Sequence, residues 1–562
     1  MSKNRNVLYI SLILVAIFVI IGVIFSDWLE NKTSLFLDII VNYFNWFYLV
    51  VGTFFVAFCL FLMFSKFGNI RLGNDKDQPE YKTLSWIAML FSAGMGVGLV
   101  FWGIAEPISL YSTPITGKGS TVQSANQAMT FSFFHWGLHP WSLFGIVALG
   151  LSYFHFRKKL PFAISSLFYP LLGNRIYHPL GKTVDVLSIF ITAVGVASTF
   201  GLSVIQISNG LNAQWGVPAT IPTQLFLIFI ATLLFLISSW SGLDRGIKFL
   251  SNINMIIMVF LALFLILVGP ITQIIEIFFS SISRYITQII PMSLRLEPFN
   301  DKANNWIGNW TIFFWAWWTT WAPFVGSFIA RISKGRTIRQ FVLGVLLVPS
   351  LISFVWFSVL GGSAIHLVHD LGNKALARSV DNNVDRALFD FLSYYPLSNF
   401  LSIIALLLIF IFFITSADSA TFVLGILSSE GNPNPSSIIK VIWGLLTAGA
   451  AIVFLLSGGL DAVQSISIVV AIPFTLISIF ICWALFKDLK TETEVSAKEE
   501  VESINISSQK SSKIKYKLKS RNNTKLNIFK HFRKNYYLLS DSESREELEI
   551  QAKREKELKY ND

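Results

Sequence analysis

The chain reads as an all-α polytopic membrane protein, and three observations support that class. Hydrophobic residues fill 53% of the 562 positions and charged residues only 14%, a balance that ordinary soluble enzymes do not reach. Apolar runs of about 20 residues recur along most of the chain, each long enough as a helix to cross a bilayer. Lysine and arginine concentrate in alternate loops between those runs, as cytoplasmic loops require.

Twelve runs are read, at 7–26, 43–64, 85–105, 129–154, 184–209, 223–240, 251–270, 309–330, 342–362, 399–428, 438–457 and 462–486. The first lacks a small-residue cleavage site and reads as a membrane helix, not a removable signal. One set of loops carries eighteen Lys and Arg, from Lys3 to Lys440, against eight in the other set. The positive-inside rule then places both termini in the cytoplasm. Segment 273–305 is amphipathic in its first half (Ile274, Ile275, Phe278, Phe279, Ile282) and is expected along the membrane surface. Cys59 and Cys482 are the only cysteines, so neither a disulfide framework nor a zinc site is expected. The net charge of +11 lies in loops and tail and points to anionic lipid, not nucleic acid. The tail, 487–562, is acidic, then basic from Lys510 to Lys534, then helix-like; it reads either as a solvated appendage or as a membrane-surface sensor.

Chemistry concentrates in four places. The third run contains Ser92-Ala93-Gly94-Met95-Gly96-Val97-Gly98. Alternating glycines cost helicity and fit an unwound stretch whose carbonyls are free for an ion or a substrate. The fourth run carries Trp136, Pro140 and Phe144 on one face with Trp141 at its edge, and Pro140 should kink it. His135 and His139 could bind a metal by spacing, though bonding between helices fits them better. The eighth run packs Trp306, Trp310, Trp315, Trp317, Trp318 and Trp321 ahead of Pro323. Indoles in that number suit a wall for a cation that cannot donate hydrogen bonds, since each aromatic face contributes about 0.5–2 kcal/mol. An interfacial aromatic belt would cluster near one membrane surface, whereas these residues span about four helical turns. In the tenth run, Thr415 and Ser416 could offer hard oxygen ligands to sodium. Glu106 and Arg331 read as loop or gate anchors with no substrate role.

Together these residues resemble the betaine/choline/carnitine transporter family, across about residues 40–485. The resemblance rests on G-M-G-V-G-L-V-F-W-G-I-A-E-P at 94–107, on Trp136, Trp141 and Phe144, on W-T-I-F-F-W-A-W-W-T-T-W-A-P-F-V-G-S-F-I-A-R-I-S-K-G-R at 310–336, and on T-S-A-D-S at 415–419; its motifs lie nearest to glycine betaine carriers. It implies two extra helices in 1–84, inverted five-helix repeats at 85–270 and 309–486 joined by a surface linker at 271–308, and a homotrimer in the cell membrane. It implies a trimethylammonium box of Trp136, Trp141, Phe144, Trp317, Trp318 and Trp321, with Gly94, Gly96 and Gly98 close to the substrate and Phe313 lining the inner pathway. It implies a sodium site from Ser92, Met95, Phe412, Thr415 and Ser416.

Two positions depart from the family pattern. Phe144 stands where glycine betaine carriers have Tyr, and Val196, one turn after Thr192, puts a second sodium site in doubt. Gly98 stands where proton-coupled choline carriers tend to have Asp. The leading expectation is sodium-coupled import of a quaternary ammonium solute, glycine betaine first; the runner-up is a choline or carnitine carrier, including ion-independent exchange. A membrane-embedded osmotic or lipid sensor is the reading from another class. No cofactor is expected, and no nucleophile–base pair suggests an enzyme.

Overall fold

The computed structural model describes residues 6–94, 96–241 and 244–495. Helices α1 (Asn6–Ile24), α2 (Ser26–Tyr43) and α3 (Asn45–Phe64) lead in. The third apolar region is divided into α4 (Thr83–Gly94) and α5 (Val97–Ser112), and the fourth into α6 (Val122–Trp136) and α7 (Leu138–Ser152). A short α8 (Tyr169–Leu172) precedes α9 (Pro179–Trp215), α10 (Ile221–Ser241) and α11 (Asp244–Val268). Next come α12 (Ile271–Ser293) and α13 (Asp301–Ile307), then a π-helical turn at Gly308–Ile312 that runs into α14 (Phe313–Ile332). The remainder is α15 (Ile338–Ile365), α16 (Lys374–Asn382), α17 (Ala387–Leu392), α18 (Ser398–Ser428), α19 (Ser437–Leu456) and α20 (Leu460–Val495). The chain divides into a unit Met1–Leu489 and a unit Lys490–Asp562; the basic stretch of the tail lies outside the described residues.

Nine helices among the described residues are long and apolar enough to cross a membrane, against the twelve runs expected. The three that differ are the third, fourth and eighth, which carry the glycine, Trp136 and Trp317 motifs. The third and fourth are interrupted. The eighth is a continuous helix of 20 residues, but its indoles, threonines and Pro323 make it less apolar than its neighbours. Departures from a plain apolar span therefore coincide with the motifs, because such residues serve something other than contact with lipid.

Local signals set the boundaries. Thr121 with Ser124 and Thr337 with Gln340 form reciprocal capping boxes at the starts of α6 and α15, each satisfying two otherwise orphaned N–H groups. Inside the bundle, α14 packs on α7 and α9, α15 on α5, and α18 on α9. The end of α14 is held by the loop after α3: the Leu72 N–H donates to the Arg336 carbonyl at 2.8 Å and the Gly335 N–H to the Leu72 carbonyl at 2.8 Å. The Arg336 guanidinium also sits 4.0 Å above the Trp86 ring. This lacing fixes the helix that presents most of the indoles. On α12, Ile275, Phe279, Ile286 and Ile290 are exposed while Ile274, Tyr285 and Met292 are buried, so this helix is in contact with the bundle along one side.

Candidate functional site

Two gaps in helical structure frame the site. At the first, α4 ends at Gly94, Gly96 is extended (φ −146°, ψ −157°), and α5 begins at Val97. Among the described residues, a methyl group built on Gly96 would meet only Ser416 Oγ, at 3.9 Å. At the second, Gly137 (φ −92°, ψ −136°) separates α6 from α7. Pro140 explains this position: its ring excludes the carbonyl four residues earlier, that of Trp136, from a helical bond. The expected kink is thus a full interruption one turn before the proline. The Tyr285 hydroxyl accepts from the Leu138 N–H at 3.1 Å and closes this second gap.

The aromatic residues assemble around the second gap. Trp136 and Trp318 have ring centroids 4.8 Å apart at 78°, Phe144 and Trp318 6.0 Å apart at 87°, and Trp141 and Phe144 5.6 Å apart at 85°. Near-perpendicular rings form corners, and a corner turns two faces toward one guest. Trp317 stacks on Trp318 (5.0 Å, 26°), and Phe313, one turn earlier, stacks on Trp317 (5.6 Å, 13°). Gly98 lies against this wall: a Cβ there would stand 2.7 Å from Cη2 of Trp317 and 3.5 Å from Cη2 of Trp136. Only a residue without a side chain lets α5 approach the indoles this closely. Trp321 stands apart, its ring meeting Phe324 at 5.6 Å.

The indole N–H groups decide how the rings are held. Trp136 donates to Glu106 Oε2 (2.8 Å), Trp317 to Ser198 Oγ (3.1 Å) and Trp318 to the His135 carbonyl (3.1 Å). With its donor satisfied, each of these rings offers the site only a π-face. Trp321 differs: its N–H is enclosed and finds no acceptor among the described residues. His139 stacks on Trp315 (4.8 Å, 8°) and its Nε2 bonds the Ser293 hydroxyl at 3.0 Å, the inter-helix bonding that its setting favours.

On α18 the Thr415 hydroxyl donates to the carbonyls of Ile411 (2.9 Å) and Phe412 (3.3 Å). Its proton is thereby engaged while oxygen lone pairs remain for a cation. Ser416 faces the first gap at Gly96, as given above, so one of the two hydroxyls and the opened backbone are neighbours. Ser92 lies in α4, and Met95 lies outside the described residues; Gly94 is the last residue of α4. On α9, Thr192 returns its hydroxyl to the Ser188 carbonyl (2.6 Å), and Val196, one turn later, is buried.

The sequence profile described as "BCCT, betaine/carnitine/choline family transporter" matches residues 6–494. The chain belongs to this family. It is 47% identical over 497 residues to the glycine betaine transporter OpuD of Bacillus subtilis, covering 88% of this chain and 96% of that protein. It is 41% identical over 504 residues to the ectoine/hydroxyectoine transporter of Virgibacillus pantothenticus, covering 89% and 99%. With the high-affinity choline transport protein of Escherichia coli it shares 36% identity over 497 residues, covering 87% and 72%. This transporter is accordingly a multi-pass membrane protein, and its relatives are transporters, not enzymes.

Sequence reading passed over two features of the candidate site. Glu106, read as a loop or gate anchor, is fully buried and holds Trp136. Phe324, which meets Trp321, sits just past Pro323 and resembles an ordinary apolar residue. For Glu106 a signal did exist: a carboxyl inside an apolar run is costly unless it has a partner.

Proposed function

We propose that this transporter carries a zwitterionic quaternary ammonium solute, glycine betaine foremost, with sodium as the coupling ion. The corner formed by Trp136, Trp318 and Phe144 carries the reading. It offers π-faces whose polar edges are already bonded elsewhere, which suits a trimethylammonium group with no hydrogen to donate. Trp321 supports the anionic end of the solute: its enclosed N–H has no acceptor among the described residues, and a substrate carboxylate would supply one. The similarity to transporters of glycine betaine, choline and ectoine fits the same chemistry.

Sodium would sit between the opened backbone at the first gap and α18. Ser92 and Met95 would contribute through carbonyls, with the Phe412 carbonyl and the Thr415 and Ser416 hydroxyls completing the shell. Thr415 presents free lone pairs, and Ser416 adjoins Gly96. With the three motif-bearing regions counted as crossings, the topology becomes twelve spans, two inverted five-helix repeats after two extra helices, and both termini in the cytoplasm. We further propose a homotrimer whose basic tail, 510–534, contacts anionic lipid in a salt-sensitive way.

The test is uptake of labelled glycine betaine, choline and carnitine into proteoliposomes with and without an inward sodium gradient. Betaine uptake that rises with the gradient is expected. Equal uptake in both conditions removes sodium from the proposal, and no uptake of any of the three removes the substrate class. Trp321→Phe separates the head groups: it should weaken glycine betaine about fivefold while changing choline less than about twofold. Equal losses for both solutes would detach Trp321 from the carboxylate.

A further inference from the structure

Beneath the aromatic corner lies a buried polar chain to which no transport step has been assigned. Glu106 comes from α5, His135 and Trp136 from the end of α6, and Thr311 from the π-helical turn ahead of α14. Glu106 and His135 are both fully enclosed. Glu106 Oε1 lies 2.7 Å from His135 Nδ1, and its Oε2 accepts from the Trp136 indole at 2.8 Å. On the far side His135 Nε2 lies 3.0 Å from the Thr311 hydroxyl. The His135 carbonyl accepts from the Trp318 indole at 3.1 Å, and its ring stacks on Phe314 (4.8 Å, 26°).

One bonded pair thus holds the edges of two cage walls. Trp136 is fastened to the Glu106 side chain and Trp318 to the His135 backbone, while Glu106 and His135 are fastened to each other. The Trp136–Trp318 corner is the pair of rings set at 78°. An indole with a free N–H could turn about its side-chain torsions; one whose N–H is bonded to a buried carboxyl is fixed in a single setting. Glu106 also belongs to α5, the helix that starts at the first gap and carries Gly98 against the Trp317 ring. Movement of α5 would therefore be felt at the Trp136 edge as well as at the Trp317 face. The π-helical turn adds to this by placing Thr311 against His135, and such turns concentrate at functional sites.

We propose that Glu106 and His135 are positioning residues of the cage: they set the Trp136–Trp318 corner and tie its geometry to α5. The inference rests on reading that corner as the cation site. Neither residue touches the solute; both act through the indoles.

The experiment is a double-mutant cycle on glycine betaine uptake, with KM and Vmax measured separately for E106A, E106Q, W136F and the combinations with W136F. E106A should raise KM about tenfold with Vmax changed less than about twofold, because the Trp136 N–H loses its acceptor. E106Q keeps a side-chain oxygen for that N–H and should recover most of the loss, to about threefold. In the W136F background there is no N–H to hold, so removing the Glu106 side chain should add less than about twofold. A wild-type KM in E106A, or an undiminished penalty in the W136F background, overturns the proposal. If E106A does not reach the membrane folded, the cycle runs with E106Q alone. Coupling to Trp136 then supports the proposal, and equal effects in the two backgrounds overturn it. W318L is measured alongside: if it too leaves KM unchanged, the cage reading has failed, whereas a raised KM in W318L with none in E106A defeats only the positioning role.

Discussion

The two interruptions differ in what makes them and in what fills them. The first opens at Gly96 within a run of alternating glycines, and among the described residues the Ser416 hydroxyl stands beside it, 3.9 Å from where a Cβ would be. The second opens at Gly137 because Pro140 denies the helix a bond one turn back, and it is closed by Tyr285, whose hydroxyl takes the Leu138 N–H at 3.1 Å. A methyl group on Gly137 would lie 2.6 Å from the Phe133 carbonyl and 2.8 Å from the Tyr285 hydroxyl. Among the described residues the first gap has the Ser416 hydroxyl beside it, which is where the proposed ion would sit. The second is sealed, and it turns α6 against α7 so that Trp136 and Phe144 meet the Trp318 indole of α14, with Trp141 against Phe144. The proposed ion site is accordingly placed at the first break and not at the second.

The largest expected effect tests the proposed cage around the second interruption. Trp318→Leu removes the ring shared by two of the three corners, and substrate affinity should fall about tenfold or more, since each aromatic face contributes about 0.5–2 kcal/mol. Trp318→Phe keeps a face and should cost about threefold. Equilibrium binding of glycine betaine to the purified protein measures both, and equal affinity in Trp318→Leu and wild type would remove the residue from the cage. Next in size is Gly98→Ala. Its Cβ would stand 2.7 Å from the Trp317 ring, so the wall must move, and overpacking of about 1 kcal/mol corresponds to roughly a fivefold rise in KM. An unchanged KM would mean that α5 and the indoles are not in register during binding. The smallest effect belongs to the seal. Tyr285→Phe deprives the Leu138 N–H of its acceptor and should lower stability by about 1 kcal/mol while betaine KM stays put. Thermal unfolding in detergent reads the first quantity and uptake the second; a KM shift without destabilisation would place Tyr285 in the site and undo the contrast.

Legibility from sequence followed the range of the interactions. The membrane class, the apolar spans and the indole face of 306–321 depend on composition and helical periodicity, which a single strand of sequence carries. The weakness of the helix at 94–98 was legible for the same reason, since glycine acts locally. The rest required residues far apart in the chain. Glu106 finds its partners at Thr311-linked His135 and at Trp136 only once α5 and α6 lie side by side. Tyr285 looks like one more residue of an amphipathic helix until Leu138 is seen to need an acceptor. The chain also replaced a predicted kink at Pro140 by a complete break at Gly137, because the glycine beside the strained carbonyl lets the backbone leave the helix altogether. Trp321 shared a helical face with its cage neighbours in the sequence, yet its ring meets Phe324, a difference that periodicity does not register.

The contrast between an open and a sealed gap is tested most directly by sodium dependence. Betaine uptake into proteoliposomes is measured against sodium concentration for wild type, Tyr285→Phe and the double variant Thr415→Ala/Ser416→Ala. Removing both α18 hydroxyls, of which Ser416 lies beside the first gap, should abolish sodium stimulation, because backbone carbonyls alone do not complete the proposed shell, while Tyr285→Phe should retain the wild-type sodium curve. Sodium stimulation that survives in the double variant, or disappears in Tyr285→Phe, would contradict the account and place the ion elsewhere.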